Sequence, residues 1–171
     1  WANLSNTPFR MYKHWVHEGG ISTPFIAHWP ERIKDKGALR HTPGQLPDIM
    51  ATVLDATGAS YPEQRNGSFI PQLEGGSLLP VFDNDHDRSR PLYWEHEGNS
   101  AVRVGKWKLV RKYPGAWELY DIDKDRTELN NLASQFQDRV NEMAQLYEAW
   151  ASRCGVIPRE VILAIGKKAR Q

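Results

Sequence analysis

The chain has 171 residues, 40% of them apolar and 25% charged, with a net charge of +1. Those proportions describe a globular chain rather than a disordered one, long enough for one substantial core. The near-neutral balance argues against bulk attraction to nucleic acid or membrane, and no apolar run reaches the roughly 18 residues of a spanning helix.

The single cysteine, Cys154, rules out an internal disulfide. Seven tryptophans imply extensive aromatic packing or an aromatic-lined site. The chain opens at Trp1 with neither an initiator methionine nor a leader, so it reads as a piece of a longer protein. Asn3-Leu4-Ser5 and Asn66-Gly67-Ser68 match the glycosylation acceptor pattern, which is short enough to arise by chance in ordinary loops.

Residues 1–10 are polar and turn-rich. Lys13-His14-Trp15-Val16-His17-Glu18-Gly19-Gly20 follows, a lysine, two histidines and a glutamate ahead of a glycine pair. The glycines permit positive φ and a close approach of another backbone or a ligand. Phe25 to Trp29, between Pro24 and Pro30, reads as a short buried strand. A lysine upstream of a tight turn that feeds a core strand is a candidate functional group.

Thr42-Pro43 announces a helix with Leu46, Ile49, Met50, Val53 and Leu54 on one face, ended by Gly58. Asp48 and Asp55 within it read as packing and capping residues. Residues 61–76 are loop-like, and Ser77 caps a short helical turn to Phe82. The charged stretch from Asp83 to Arg90 is the candidate boundary, dividing residues 1–83 from 84–171.

From Pro91 the period becomes two. Leu92–His96, Ala101–Val104, Trp107–Lys112 and Trp117–Asp121 read as an antiparallel meander, with turns at Gly98-Asn99 and Gly105-Lys106. Val140, Met143, Ala144, Tyr147 and Ala151 mark an amphipathic helix that covers one sheet face, ending at Cys154-Gly155. Residues 156–171, apolar and then basic, are peripheral.

Metal patterns fail on their spacing. His14-x-x-His17-Glu18 matches no zinc-protease order, and no third ligand stands nearby at matching spacing. Asp121-x-Asp123-x-Asp125 begins like a calcium loop, but Arg126 replaces the required glycine and Leu132 the twelfth-position glutamate. No metal site is expected from these residues. Glu18 is expected to fix its turn by hydrogen bonds, and His17 to line the mouth of a cavity. His96, flanked by Glu95 and Glu97 at a strand end, is a candidate substrate contact, and Asn99 shares that argument.

Lys13-x-x-x-x-Glu18-Gly19-Gly20-x-x-x-Pro24, closed by Trp29-Pro30, resembles the post-nucleophile lysine segment of the sulfatase family, in the alkaline-phosphatase-like superfamily. Ser5-Asn6-Thr7-Pro8-Phe9-Arg10, the Asp48-to-Asp55 helix and the ending Glu118-Leu119-Tyr120-Asp121…Glu128-Leu129-Asn130-Asn131-Leu132 resemble the same family. The resemblance covers a sulfatase's C-terminal portion. It implies part of an alkaline-phosphatase-like α/β domain, then a small antiparallel sheet packed on a C-terminal helix.

The resemblance also implies a catalytic role for Lys13, which would stabilise charge on the sulfate and the leaving oxygen. His96, His17 and Asn99 would contact the substrate, a small-molecule or carbohydrate sulfate ester. Formylglycine and calcium would act in the parent enzyme. The family's Cys-x-Pro-x-Arg motif is not matched by Cys154-Gly155-Val156-Ile157-Pro158-Arg159, so Cys154 reads as a packing residue. The N-terminal portion of the same protein is the implied partner, and a periplasmic or secreted location is implied, with the cytoplasm as the alternative. A phosphatase or phosphonate-ester hydrolase of the same superfamily remains open. So does a non-catalytic module that binds anions through Lys13, His96 and the basic strand Lys106 to Lys112.

Overall fold

The computed structural model describes residues 1–88 and 90–168, the last two as backbone only. In chain order the elements are α1 (Ala2–Ser5), α2 (Glu18–Ile21), α3 (Leu46–Thr57), β1 (Gln64–Arg65), β2 (Ser68–Phe69), a 3-10 turn (Leu79–Phe82), β3 (Leu92–His96), β4 (Asn99–Val104), β5 (Trp107–Arg111), β6 (Glu118–Asp121), α4 (Gln137–Cys154) and α5 (Arg159–Lys168). They fall into two compact units. One joins residues 1–24 to the chain from Arg90 onward; the other is Phe25–Ser89, described up to residue 88. The charged stretch after Asp83 thus ends at a unit boundary, while the first 24 residues group with the sheet rather than with residues 25–83.

The first unit is built on the expected meander, β3-β4-β5-β6, antiparallel throughout. Alternation sends Val102, Leu109 and Leu119 to one face, where Val140, Met143, Tyr147 and Ala151 of α4 cover them. Those four helix positions recur every three or four residues, so a single stripe meets the sheet. Gly155 caps α4 at φ 69°, a conformation that favours glycine. Cys154, expected as a packing residue, is exposed instead, because it stands outside that stripe.

The opposite face carries Ala101, Val110, Tyr120 and Ile122, and the lysine-bearing segment lies on it through Val16 and Ile21. The sheet is therefore buried on both sides. The β3–β4 turn falls at Glu97-Gly98, with φ of 52° and 87°, a two-residue loop of type I′. That is one residue earlier than expected, and it makes Asn99 the first residue of β4.

A charged cluster sits in the second layer. Lys108 on β5 is fully buried, and its Nζ lies 2.8 Å from both Glu18 Oε1 and Glu128 Oε1. Glu128 also accepts the Glu18 backbone N–H through Oε2 at 2.8 Å. Beside it, His17 Nε2 lies 3.4 Å from Glu118 Oε2, and the Tyr120 hydroxyl donates to the same oxygen at 2.5 Å. Arg10 donates to the Glu128 carbonyl at 2.8 Å. The apolar–basic alternation of β5 reads as a basic strand open to anions. Lys108 is instead consumed inside the fold, and Lys106 pairs with Asp121 at 3.0 Å.

The acidic run beyond β6 is a turn, as expected. Asp125 accepts the backbone N–H groups of Leu129 and Asn130 at 2.8–3.1 Å, which shapes the loop that delivers Glu128.

In the second unit, α3 is capped as its sequence demands. Asp48 Oδ2 accepts the Gln45 N–H at 2.7 Å, Oδ1 accepts the Gly76 N–H at 2.9 Å, and Arg88 grips both oxygens at 2.6 and 2.9 Å. Burial raises the Asp48 carboxyl pKa, but Arg88 and the two N–H groups outweigh it and hold the group below its ordinary range. Gly58 ends the helix at φ 69°. The 3-10 turn is capped by Leu78 rather than by Ser77, the cap expected from the sequence; Ser77 stands one residue earlier, and its Oγ accepts the Leu79 N–H at 3.2 Å. Asn66-Gly67 closes the β1–β2 hairpin inside what reads as a loop.

Two apolar features of this unit stay uncovered among the described residues. Leu46, Ile49, Met50 and Val53 on α3 are exposed. Phe25 to Trp29, expected as a buried strand, is irregular and exposed. No other strand among the described residues offers it a ladder partner, and an isolated strand leaves its backbone groups to water.

Breaking a buried charge cluster strands the partners that remain. Lys108→Met should lower the unfolding free energy by about 3–5 kcal/mol, read by denaturant titration; a loss under about 1 kcal/mol would mean the pairs add nothing net.

The Glu118 carboxyl, held by its hydrogen bond to His17 and then by Tyr120 and Arg10 against the cost of burial, falls from an ordinary 4.5 to about 2. Its contribution to stability is therefore complete above pH 4.5 and disappears as the pH drops through 2. Glu118→Gln should flatten the acid decline of the thermal midpoint across that window. An unchanged acid slope would assign the lability to another group.

Candidate active site

The lysine segment is positioned by its own glutamate and glycines. Glu18 opens α2, a single turn, and is locked to Lys108 and Glu128 behind it. A Cβ on Gly20 would stand 1.8 Å from the Trp15 carbonyl oxygen, and one on Gly19 would stand 2.3 Å from that of Arg10. Close approach, rather than positive φ, is what these glycines provide. The segment doubles back on itself so tightly that no side chain fits.

Lys13 lies just before this folded-back turn and is exposed. Among the described residues no hydrogen bond or ion pair engages its ammonium group, so it is free to meet an anion. The aromatic ring of Trp15 packs edge-on to Tyr12 at 4.8 Å and under the Lys112 ammonium at 5.3 Å, which stiffens the backbone around it.

Three of the residues singled out in the sequence come together here. Asn99, buried at the start of β4, donates to the His14 carbonyl at 3.1 Å and the His96 carbonyl at 2.9 Å, and its Oδ1 accepts the Tyr113 N–H at 3.1 Å. Its side chain thus holds the lysine segment against the β3–β4 hairpin rather than facing an opening. His96 is exposed, with its ring centroid 5.4 Å from that of His14.

His17 is placed differently. It is fully buried against Glu118, not at a cavity mouth, because α2 turns it toward the sheet. Sequence reasoning missed Glu97 and the partnership of His14 with His96. These groups are about eighty positions apart and meet only through the hairpin, so local spacing carries no trace of them. His14, His96 and Glu97 each bring one potential ligand atom, all within 4.8 Å of one another.

Comparison with known proteins places the chain among sulfatases. Residues 9–151 match the family described as "N-sulphoglucosamine sulphohydrolase, C-terminal". An uncharacterized sulfatase of Schizosaccharomyces pombe is 28% identical over 92% of this chain and 30% of its own length. The N-acetylgalactosamine-6-sulfatase of Rattus norvegicus is 32% identical over 68% of this chain and 21% of its own. Among solved structures, the crystal structure of Ps i-CgsB aligns with a TM-score of 0.53 at 22% identity, over 64% of this chain and 24% of that one. The same protein has been solved with k-i-k-neocarrahexaose, with a TM-score of 0.50 to this chain.

The chain therefore spans less than a third of the length of these relatives. The family match covers the lysine segment, the meander and most of α4, and the chain belongs to the sulfatase family, within its C-terminal region.

Proposed function

We propose that the protein containing this chain hydrolyses sulfate esters of carbohydrates, and that Lys13 is the charged group this chain brings to the reaction. The observation that carries the reading is an uncommitted, exposed ammonium on a backbone clamped from below by Glu18, Gly19 and Gly20. Cleavage of a sulfate ester builds negative charge on the bridging oxygen. A fixed cation there lowers the barrier without having to reorganise at the moment of reaction.

The carbohydrate part of the reading is supported by the relatives. One is named for an amino-sugar sulfate, and one fold neighbour was crystallised with a hexaose. His96, exposed beside the lysine segment, is suited to contact the sugar or alcohol portion. Asn99 and His17 act behind it, one tying backbones together and the other buried against Glu118. The sulfatase relatives favour sulfate over a phosphate monoester.

Family chemistry supplies a formylglycine nucleophile and calcium, and the residues present fit neither group. Cys154 is exposed at the end of α4, outside the required motif. The cluster of His14, His96 and Glu97 holds two imidazoles, whereas calcium selects oxygen ligands. The proposal assigns both groups to the N-terminal portion of the same protein. The uncovered apolar residues of α3 and the exposed run Phe25–Ala27 are the surfaces that such a portion would bury.

In the full-length protein, Lys13→Ala should lower kcat for an aryl or sugar sulfate by about 10²–10³-fold, as loss of one charge-stabilising group does elsewhere. The thermal midpoint should be unchanged, because the side chain is exposed. Sulfate release at the wild-type rate would overturn the assignment. The 171-residue chain alone should release none.

A further inference from the structure

The charge stabilisation assigned to Lys13 uses neither His14 nor Glu97, and the cluster that these two form with His96, the proposed sugar contact, has a construction of its own. Two imidazoles and one carboxylate form a donor set that suits zinc, nickel or copper rather than magnesium or calcium. His14 Nδ1 lies 3.7 Å from Glu97 Oε2, and the three ligand atoms lie within 4.8 Å of one another. Zinc bonds of about 2.0–2.2 Å set neighbouring ligand atoms roughly 3.4 Å apart, so one pair already fits and the third closes by a small side-chain rotation.

The backbone beneath the cluster is fixed. Asn99 is buried and bonds the carbonyls of both histidine residues, so His14 and His96 share one anchor. Glu97 is carried in the left-handed conformation of a type I′ loop, φ 52°, which sets the direction of its side chain. Gly98 beside it has no room for a side chain, since a Cβ would come within 2.8–2.9 Å of Arg159 and Tyr113. Metal sites need such support behind their ligands.

We propose that His14, His96 and Glu97 form a binding site for a divalent late-transition-metal ion, zinc foremost, with coordination positions left open toward solvent. One group opposes the ion. Arg159 Nη2 lies 3.1 Å from Glu97 Oε2, so it occupies a lone pair and adds a positive charge nearby. The proposal does not rest on the sulfatase reading, because binding alone tests it.

Tag-free full-length protein is titrated with zinc chloride by calorimetry, with Cu(II) electron paramagnetic resonance as a second readout. Loss of an outer-shell partner alone costs about 10–100-fold in affinity, so His14→Ala and His96→Ala should each weaken zinc at least tenfold. Arg159→Gln should tighten it, a gain that misfolding cannot produce. His41→Ala, in the other unit, should change nothing. The copper spectrum should show nitrogen coordination that His96→Ala reduces. Wild-type protein that takes up no zinc, equal affinity in the histidine variants, or weaker binding in Arg159→Gln would each overturn the site.

Discussion

A single buried ammonium organises this molecule. Lys108 enters from the middle of β5 and meets carboxylates from two distant places, Glu18 on the lysine segment and Glu128 on the loop after β6. A charge without water is tolerable only when it is paired and hydrogen-bonded. That requirement pins three stretches of chain to one point and fixes how the N-terminal 24 residues lie on the sheet. The apolar contacts of Val16 and Ile21 supply adhesion, but they would accept a small slide. The ion cluster does not, because a slide would leave one of its members unpaired.

The same constraint explains why the exposed and the buried halves of the lysine segment look so different. Within six residues the chain passes from Lys13, free at the surface, to Glu18, almost wholly buried. Trp15 and the two glycines make that descent steep. Asn99 then secures the upper end to the β3–β4 hairpin, as Lys108 secures the lower. An exposed side chain is thus carried by backbone that is held at both ends, which is how a flexible lysine acquires a defined place.

Much of the first unit was legible in the sequence. The alternation in β3 to β6 and the spacing of Val140, Met143, Tyr147 and Ala151 predict the meander and its covering helix, because each pattern is local and each period is distinct. The lysine segment was legible through its family resemblance. What escaped was non-local. Nothing in Trp107-Lys108-Leu109 tells a buried lysine from a solvated one, since its partners lie ninety positions earlier and twenty later. His17 and Asn99 read as substrate contacts for the same reason. Phe25–Trp29 failed differently: its composition is that of a core strand, and composition does not record whether a neighbouring strand is present to pair with it. The Asn66-Gly67 hairpin did carry a local signal, two left-handed turn residues, inside a stretch that reads as loop.

The long reach of the Glu18–Lys108–Glu128 cluster has a consequence in time as well as in space. In a chain emerging from the ribosome, the residues that fix the backbone of the lysine segment follow it by roughly ninety to one hundred and ten positions. Contacts of such separation form late, after the local meander has closed. The lysine segment therefore spends the interval of synthesis unanchored, and it becomes a defined surface only when the loop carrying Glu128 folds back. Within this stretch the order of assembly thus runs opposite to the order of the sequence: Lys13 is made before the meander and placed after it.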